Sequence, residues 1–66
     1  MLNLDSYPEV LNVEEIAEIL RLSKDSAYRM AKNTAFPATR IGKRILIDKS
    51  TFSEWWEEMK GKEFIL

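Results

Sequence analysis

Neither cysteine nor histidine occurs anywhere in this 66-residue chain, and that double absence narrows the folds open to it more than any motif does. A chain so short buries only about 60% of the surface that its unfolded form exposes, and small domains commonly add disulfides or a structural metal to compensate. Here no disulfide can form, and zinc sites built from Cys and His are all but excluded. Stability has to come from packing amphipathic elements around one core. The same absence removes the usual general base, thiol nucleophile and imidazole ligand. The remaining carboxylates, serines and lysines are organised by no Gly-rich phosphate loop or paired-acid motif, and so short a chain does not readily enclose a substrate pocket. The expectation is a binding protein with no catalytic residue, metal or cofactor. Nothing near Met1 resembles a signal peptide, and apolar runs reach about three residues, against the ~20 of a membrane span. A cytoplasmic protein that does not engage a membrane is therefore expected.

The elements can be read from their punctuation. Residues 1–10 are expected to form an N-terminal arm, with Tyr7-Pro8 biasing the chain to extended backbone. Asn12 is a good N-cap and Glu15 stands where a capping box needs it, while Leu11 and Ile16 have hydrophobic-staple spacing. Val13, Ile16, Ala17 and Leu20 fall at i, i+3, i+4 and i+7, the period of a helix with one apolar face. This first helix should stop near Arg21. Ser23 is the next N-cap, and a second helix should run from Lys24 to Lys32 or Asn33 with Ala27, Met30 and Ala31 inward. Two short helices joined by about three residues is the grammar of a helix-turn-helix.

Phe36-Pro37 ends the helical region. Residues 38–41, the pair Gly42-Lys43 and residues 44–47 then read as a hairpin, with Gly42 supplying positive φ at the first turn position. The apolar residues Ile41, Ile45, Leu46 and Ile47 do not alternate cleanly, so their inward face stays open. Asp48 caps a third helix with Phe52, Trp55, Trp56 and Met59 along one face, and Gly61 stops it. The fold expected is mainly α with a small β-hairpin: helix-turn-helix, two-stranded wing and C-terminal helix over residues 11–60, then a tail over residues 61–66.

Charge is segregated along this order. Residues 1–20 sum to −5, residues 21–49 to +6 and residues 50–66 to −2, although the whole chain sums to only −1. Eight bases against two acids form one contiguous block, the local footprint of a nucleic-acid binder.

Three strings carry a family resemblance: Asn12-Val13-Glu14-Glu15, Ser23…Ala27-Tyr28-Arg29 and Pro37…Arg40-Ile41-Gly42-Lys43-Arg44. In this order and spacing, over roughly residues 10–57, the chain resembles the excisionase-type members of the MerR-like winged helix-turn-helix superfamily, small proteins of phages, conjugative elements and their hosts. It departs from the pattern at Arg21, where relatives often carry Gly, at Ala31, where a larger aliphatic residue is usual, and after Ser53.

The resemblance implies a recognition helix in the major groove and a wing beside it. With Ala27, Met30 and Ala31 inward, Asp25, Tyr28, Arg29 and Lys32 project outward and Ser26 lies on a flank. Arg29 is the candidate for guanine, the commonest specific contact of arginine, or else an i, i+4 partner of Asp25; Asp25 can serve both by orienting it. Lys24 and Lys32 read as phosphate anchors. Tyr28 suits a phosphate or sugar contact, or the edge of the core. Ser26 suits a base contact or a helix amide. Arg40, Lys43 and Arg44 cluster at the wing, able to enter a minor groove or to protect a sheet edge. Trp55 and Trp56 read as core, with one partly exposed beside Glu54, Glu57 and Glu58.

The implied function is sequence-specific binding to double-stranded DNA as an excisionase-like accessory factor. Such a protein would act with an integrase or recombinase partner, would self-associate cooperatively on repeated sites, and would be bacterial or phage-encoded and nucleoid-associated. Two alternatives stay open: a small transcriptional regulator using the same surface, and a protein-interaction adaptor acting through the acidic, Trp-containing third helix.

Overall fold

A computed structural model describes residues 2–66. The order is β1 (Val10–Leu11), α1 (Val13–Leu20), α2 (Lys24–Lys32), β2 (Thr39–Ile41), β3 (Arg44–Asp48) and α3 (Lys49–Met59). The first helix begins as its sequence requires. The Asn12 Oδ1 accepts from the Glu15 amide at 2.7 Å, and the Asn12 amide donates to Glu15 Oε1 at 2.9 Å. Two of the four orphan donors around the helix start are thereby satisfied reciprocally.

The end of α1 sets the angle of α2. Arg21 takes the left-handed conformation (φ 58°, ψ 45°). Its amide donates to the Glu18 carbonyl at 3.3 Å, and that of Leu22 donates to the Ala17 carbonyl at 2.8 Å. These paired bonds are a Schellman motif, in which glycine is the favoured left-handed residue. The chain therefore makes here, with a strained arginine, the turn for which glycine is usual. Ser23 then caps α2, its Oγ accepting from the Ser26 amide at 3.1 Å. Ala27 is fully buried, and its small side chain lets α2 approach the rest of the core closely.

The hairpin forms about Gly42-Lys43, with Gly42 at φ 59° and Ile41 opposite Arg44. The expected two-stranded wing is a correction, however. β1 pairs antiparallel with β3, so the sheet has three strands in the order β1-β3-β2. Two residues carry no alternation from which a strand could be read, and the pairing joins segments remote in sequence. Leu11 therefore serves both as the hydrophobic residue beside the α1 cap and as a strand residue opposite Ile47.

The sheet also settles the ambiguous apolar run. Ile47 is fully buried and Ile45 packs against the core, while Ile41 is 61% exposed. Phe52, Leu11, Ile16 and Ile47 are the largest fully buried side chains, one each from α3, β1, α1 and β3. Phe36, which follows α2, lies 4.8 Å centroid to centroid from Trp55 in edge-on contact and 6.1 Å from Phe52. Trp55, Trp56 and Met59 are only half-buried. The apolar face of α3 is thus core at Phe52 and opens toward its C-terminal end, where Phe64 meets Trp55 at 5.8 Å.

The segment before β1 is tied down from the far end of the chain. Leu4 is buried, and Tyr7 donates its hydroxyl to Glu18. Lys49 Nζ donates to the carbonyls of Tyr7 at 3.0 Å and Leu4 at 3.3 Å, and its backbone amide donates to the Glu9 carbonyl at 2.9 Å. Among the described residues, no helix is long and apolar enough to cross a membrane.

Two stability tests follow from the helix ends. Arg21→Gly relieves left-handed strain of about 1 kcal/mol, which in a domain of this size raises the melting temperature by roughly 4–8 °C. A thermal melt showing a lower midpoint would refute the assigned turn. Asp48 Oδ2 accepts from the Thr51 amide and from the Ser50 and Thr51 hydroxyls, and these bonds hold its carboxyl below the usual aspartate value. A carboxyl depressed on folding contributes stability above its unfolded value of about 3.9, and loses that contribution as pH falls through the folded one. Melts between pH 7 and pH 2 are expected to show a steep acid limb beginning below about pH 4. In Asp48→Asn, which keeps a good cap, the limb is shallower; superimposable limbs would contradict the assignment.

Candidate nucleic-acid interface

The candidate residues of α2 and of the β2–β3 hairpin occupy adjoining parts of one surface. Lys24, Asp25, Tyr28, Arg29 and Lys32 are exposed on α2, as are Arg40, Lys43 and Arg44 on the hairpin. Two structural links bring helix and hairpin together. At the C-terminal end of α2, Arg40 Nη2 donates to the Lys32 carbonyl at 2.9 Å, where the helix dipole favours a cation. Elsewhere, Tyr28 shares a cleft of about 280 Å³ with Lys43 and Arg44 and with Glu14 at the start of α1.

Each candidate has a definite local setting. Arg29 Nε lies 3.3 Å from Asp25 Oδ2, with both side chains largely in solvent. Such a pair contributes a few tenths of a kcal/mol, so its main effect is to restrict the guanidinium, whose Nη groups remain available. Ser26 is half-buried, and its Oγ accepts from Ser23 Oγ at 3.0 Å. The helix amide is served by Ser23, leaving Ser26 its own hydroxyl proton. Lys24, Lys32, Lys43 and Arg44 take part in no ion pair among the described residues. Arg40 sits opposite Ile45, one pair below the turn, and its guanidinium reaches α2.

Tyr28 is 37% exposed, and its hydroxyl donates to Glu14 Oε2 at 2.8 Å. That bond raises the Tyr28 phenol above its ordinary value and lowers the Glu14 carboxyl below its own. The site at neutral pH therefore holds a neutral phenol and an ionised carboxylate. Glu14 is the residue that sequence reasoning missed. It lies in the first turn of α1 and reads there as a dipole-stabilising acid; nothing local marks it as the partner of a side chain on another helix.

Lys49 belongs elsewhere. It lies in the basic block of the sequence, but its ammonium is bound to the segment before β1 and lies 3.6 Å from Glu9 Oε1. The positive surface is therefore narrower than the block of residues 21–49, and is concentrated on α2 and the hairpin.

Comparison with known proteins agrees with this geometry. A helix-turn-helix domain model matches residues 10–60, a span that takes in every element from β1 to α3. No curated protein and no solved structure matches the chain. With most of its length covered by that one model, the chain belongs to the helix-turn-helix domain family, a DNA-binding class of domain.

Proposed function

We propose that this protein binds double-stranded DNA sequence-specifically, with α2 in the major groove and the β2–β3 turn reaching an adjacent minor groove. The observation that carries this reading is the joining of α2 to the hairpin: Arg40 bonds the last carbonyl of α2, and Tyr28 shares a cleft with Lys43 and Arg44. Helix and wing then meet DNA as one body. Arg29 is the base-reading side chain, oriented by Asp25, with Ser26 on its flank. Lys24 and Lys32 hold phosphates, and Lys43 and Arg44 enter the neighbouring groove. Arg40 fixes the wing against the helix.

In the cell, the motif resemblance over roughly residues 10–57 favours an excisionase-like accessory factor acting with a site-specific recombinase of a phage or mobile element. A single module of this size has limited affinity, which favours cooperative binding to adjacent sites. Binding and deformation of the duplex, rather than chemistry, would be its contribution to recombination.

Electrophoretic mobility shifts over a salt series test the DNA reading. The wild type shifts a specific duplex with a steep salt slope. Arg29→Ala costs about 1–3 kcal/mol and relaxes preference at its contact position. Lys43→Ala/Arg44→Ala weakens all duplexes alike and reduces the slope by about 2. No shift on any duplex at micromolar protein and low salt refutes the reading. Mapping of bound sites tests the cellular role: clustered sites beside a recombination end support the accessory factor, and a lone promoter-overlapping site overturns it.

A further inference from the structure

We infer that Tyr28 is a specificity-determining residue that accepts a hydrogen bond from the exocyclic amine of an adenine or cytosine, its own proton being held by Glu14. The inference rests on the duplex-binding reading above and adds to it the chemical class of base that one position selects.

A carboxylate can only accept, so the proton in the 2.8 Å bond between Tyr28 and Glu14 is the phenol's. A tyrosine hydroxyl has one proton, and with that proton committed, only oxygen lone pairs remain to face a ligand. Phosphate oxygens are also acceptors, so the pair has nothing to donate to them, and the charge of Glu14 repels them. The tyrosine thereby loses the phosphate contact that its sequence setting suggests. Base edges divide differently. In the major groove adenine N6 and cytosine N4 donate, whereas guanine O6 and thymine O4 accept. The phenol oxygen matches the first two and excludes the others.

The surroundings sharpen the contrast. Lys24, Lys43 and Arg44 are exposed donors, so Tyr28–Glu14 is an acceptor patch on an otherwise donating surface. Asp25, the other acid of this surface, already bonds Arg29. Tyr28 is 37% exposed, and in the duplex-binding reading its place on α2 sets it among the residues that face base pairs.

Selection from randomised duplexes, with the full chain and its Tyr28→Phe and Glu14→Ala variants, tests this. Near-ultraviolet circular dichroism of Trp55 and Trp56 verifies that each variant is folded. The wild type should show one position where adenine or cytosine is preferred about 5- to 10-fold over guanine or thymine. Replacing that base by its analogue without the exocyclic amine should remove the same factor. Tyr28→Phe should erase the preference there and leave other positions unchanged. Glu14→Ala frees the phenol proton and should move the preference toward guanine or thymine. A Tyr28→Phe variant that weakens every duplex equally with a reduced salt slope would make Tyr28 a phosphate contact and overturn the inference alone. One indistinguishable from wild type at every position would do the same. A wild type that binds no duplex would overturn the duplex-binding reading as well.

Discussion

The structure depends on a core that no single element can close. Leu11, Ile16, Ile47 and Phe52 are each fully buried and come from four different elements; remove any one and the other three lose a wall. Large-to-small replacement at such positions typically costs about 2–5 kcal/mol, against a total stability of about 5 kcal/mol for so small a domain. The aromatic contacts of Phe36 and Trp55 with Phe52 extend this core beneath the C-terminal end of α2. Nothing covalent assists it. The helix ends carry unusually complete capping for the same reason: with so little apolar area to bury, unsatisfied backbone groups would be a large fraction of the balance.

On this base the charges divide into two kinds that composition does not distinguish. One set bonds backbone: Lys49 binds carbonyls of the first segment, and Arg40 binds the last turn of α2. The other set, Lys24, Lys32, Lys43 and Arg44, stands in solvent without ion pairs among the described residues. A net charge of −1 is compatible with a positive face because the acids lie mostly on α1 and α3. Glu14 is the exception. It is an α1 acid brought to the edge of the basic surface by its bond to Tyr28.

What could be read from the sequence was local. The capping box at Asn12, the Ser23 and Asp48 caps, the Gly42 turn and the inward faces of α1 and α2 all follow from residues within one or two turns of each other, and the structure reproduces them. The end of α1 near Arg21 was legible too, but not the left-handed backbone of that residue, since an arginine there left the shape of the turn open. Illegible features were those joining distant segments: strand β1, the Lys49 bonds to the first segment, the reach of Arg40 to α2 and the bond of Tyr28 to Glu14. Strand β1 is two residues long and leaves no periodicity. Long polar side chains choose partners by tertiary proximity, which spacing along one element does not encode. The half-exposed tryptophans of α3 lie between these cases, since their helical spacing is local but how far the tail covers them is not.

The Lys49 bond to Leu4 has a kinetic consequence, because its two residues lie 45 positions apart. Helix α1, the turn at Arg21, α2 and the β2–β3 hairpin all close through near neighbours and can form on the microsecond scale. The pairing of β1 with β3, and the anchoring of the first segment by Lys49, must wait for a much larger loop to close. During synthesis residues 4–11 can therefore dock only after β3 and the start of α3 have left the ribosome. Until then the unpaired edge of β3 and the apolar surface that Leu4 and Leu11 will cover remain open to solvent, and that interval is when this small protein is most exposed to association with other chains.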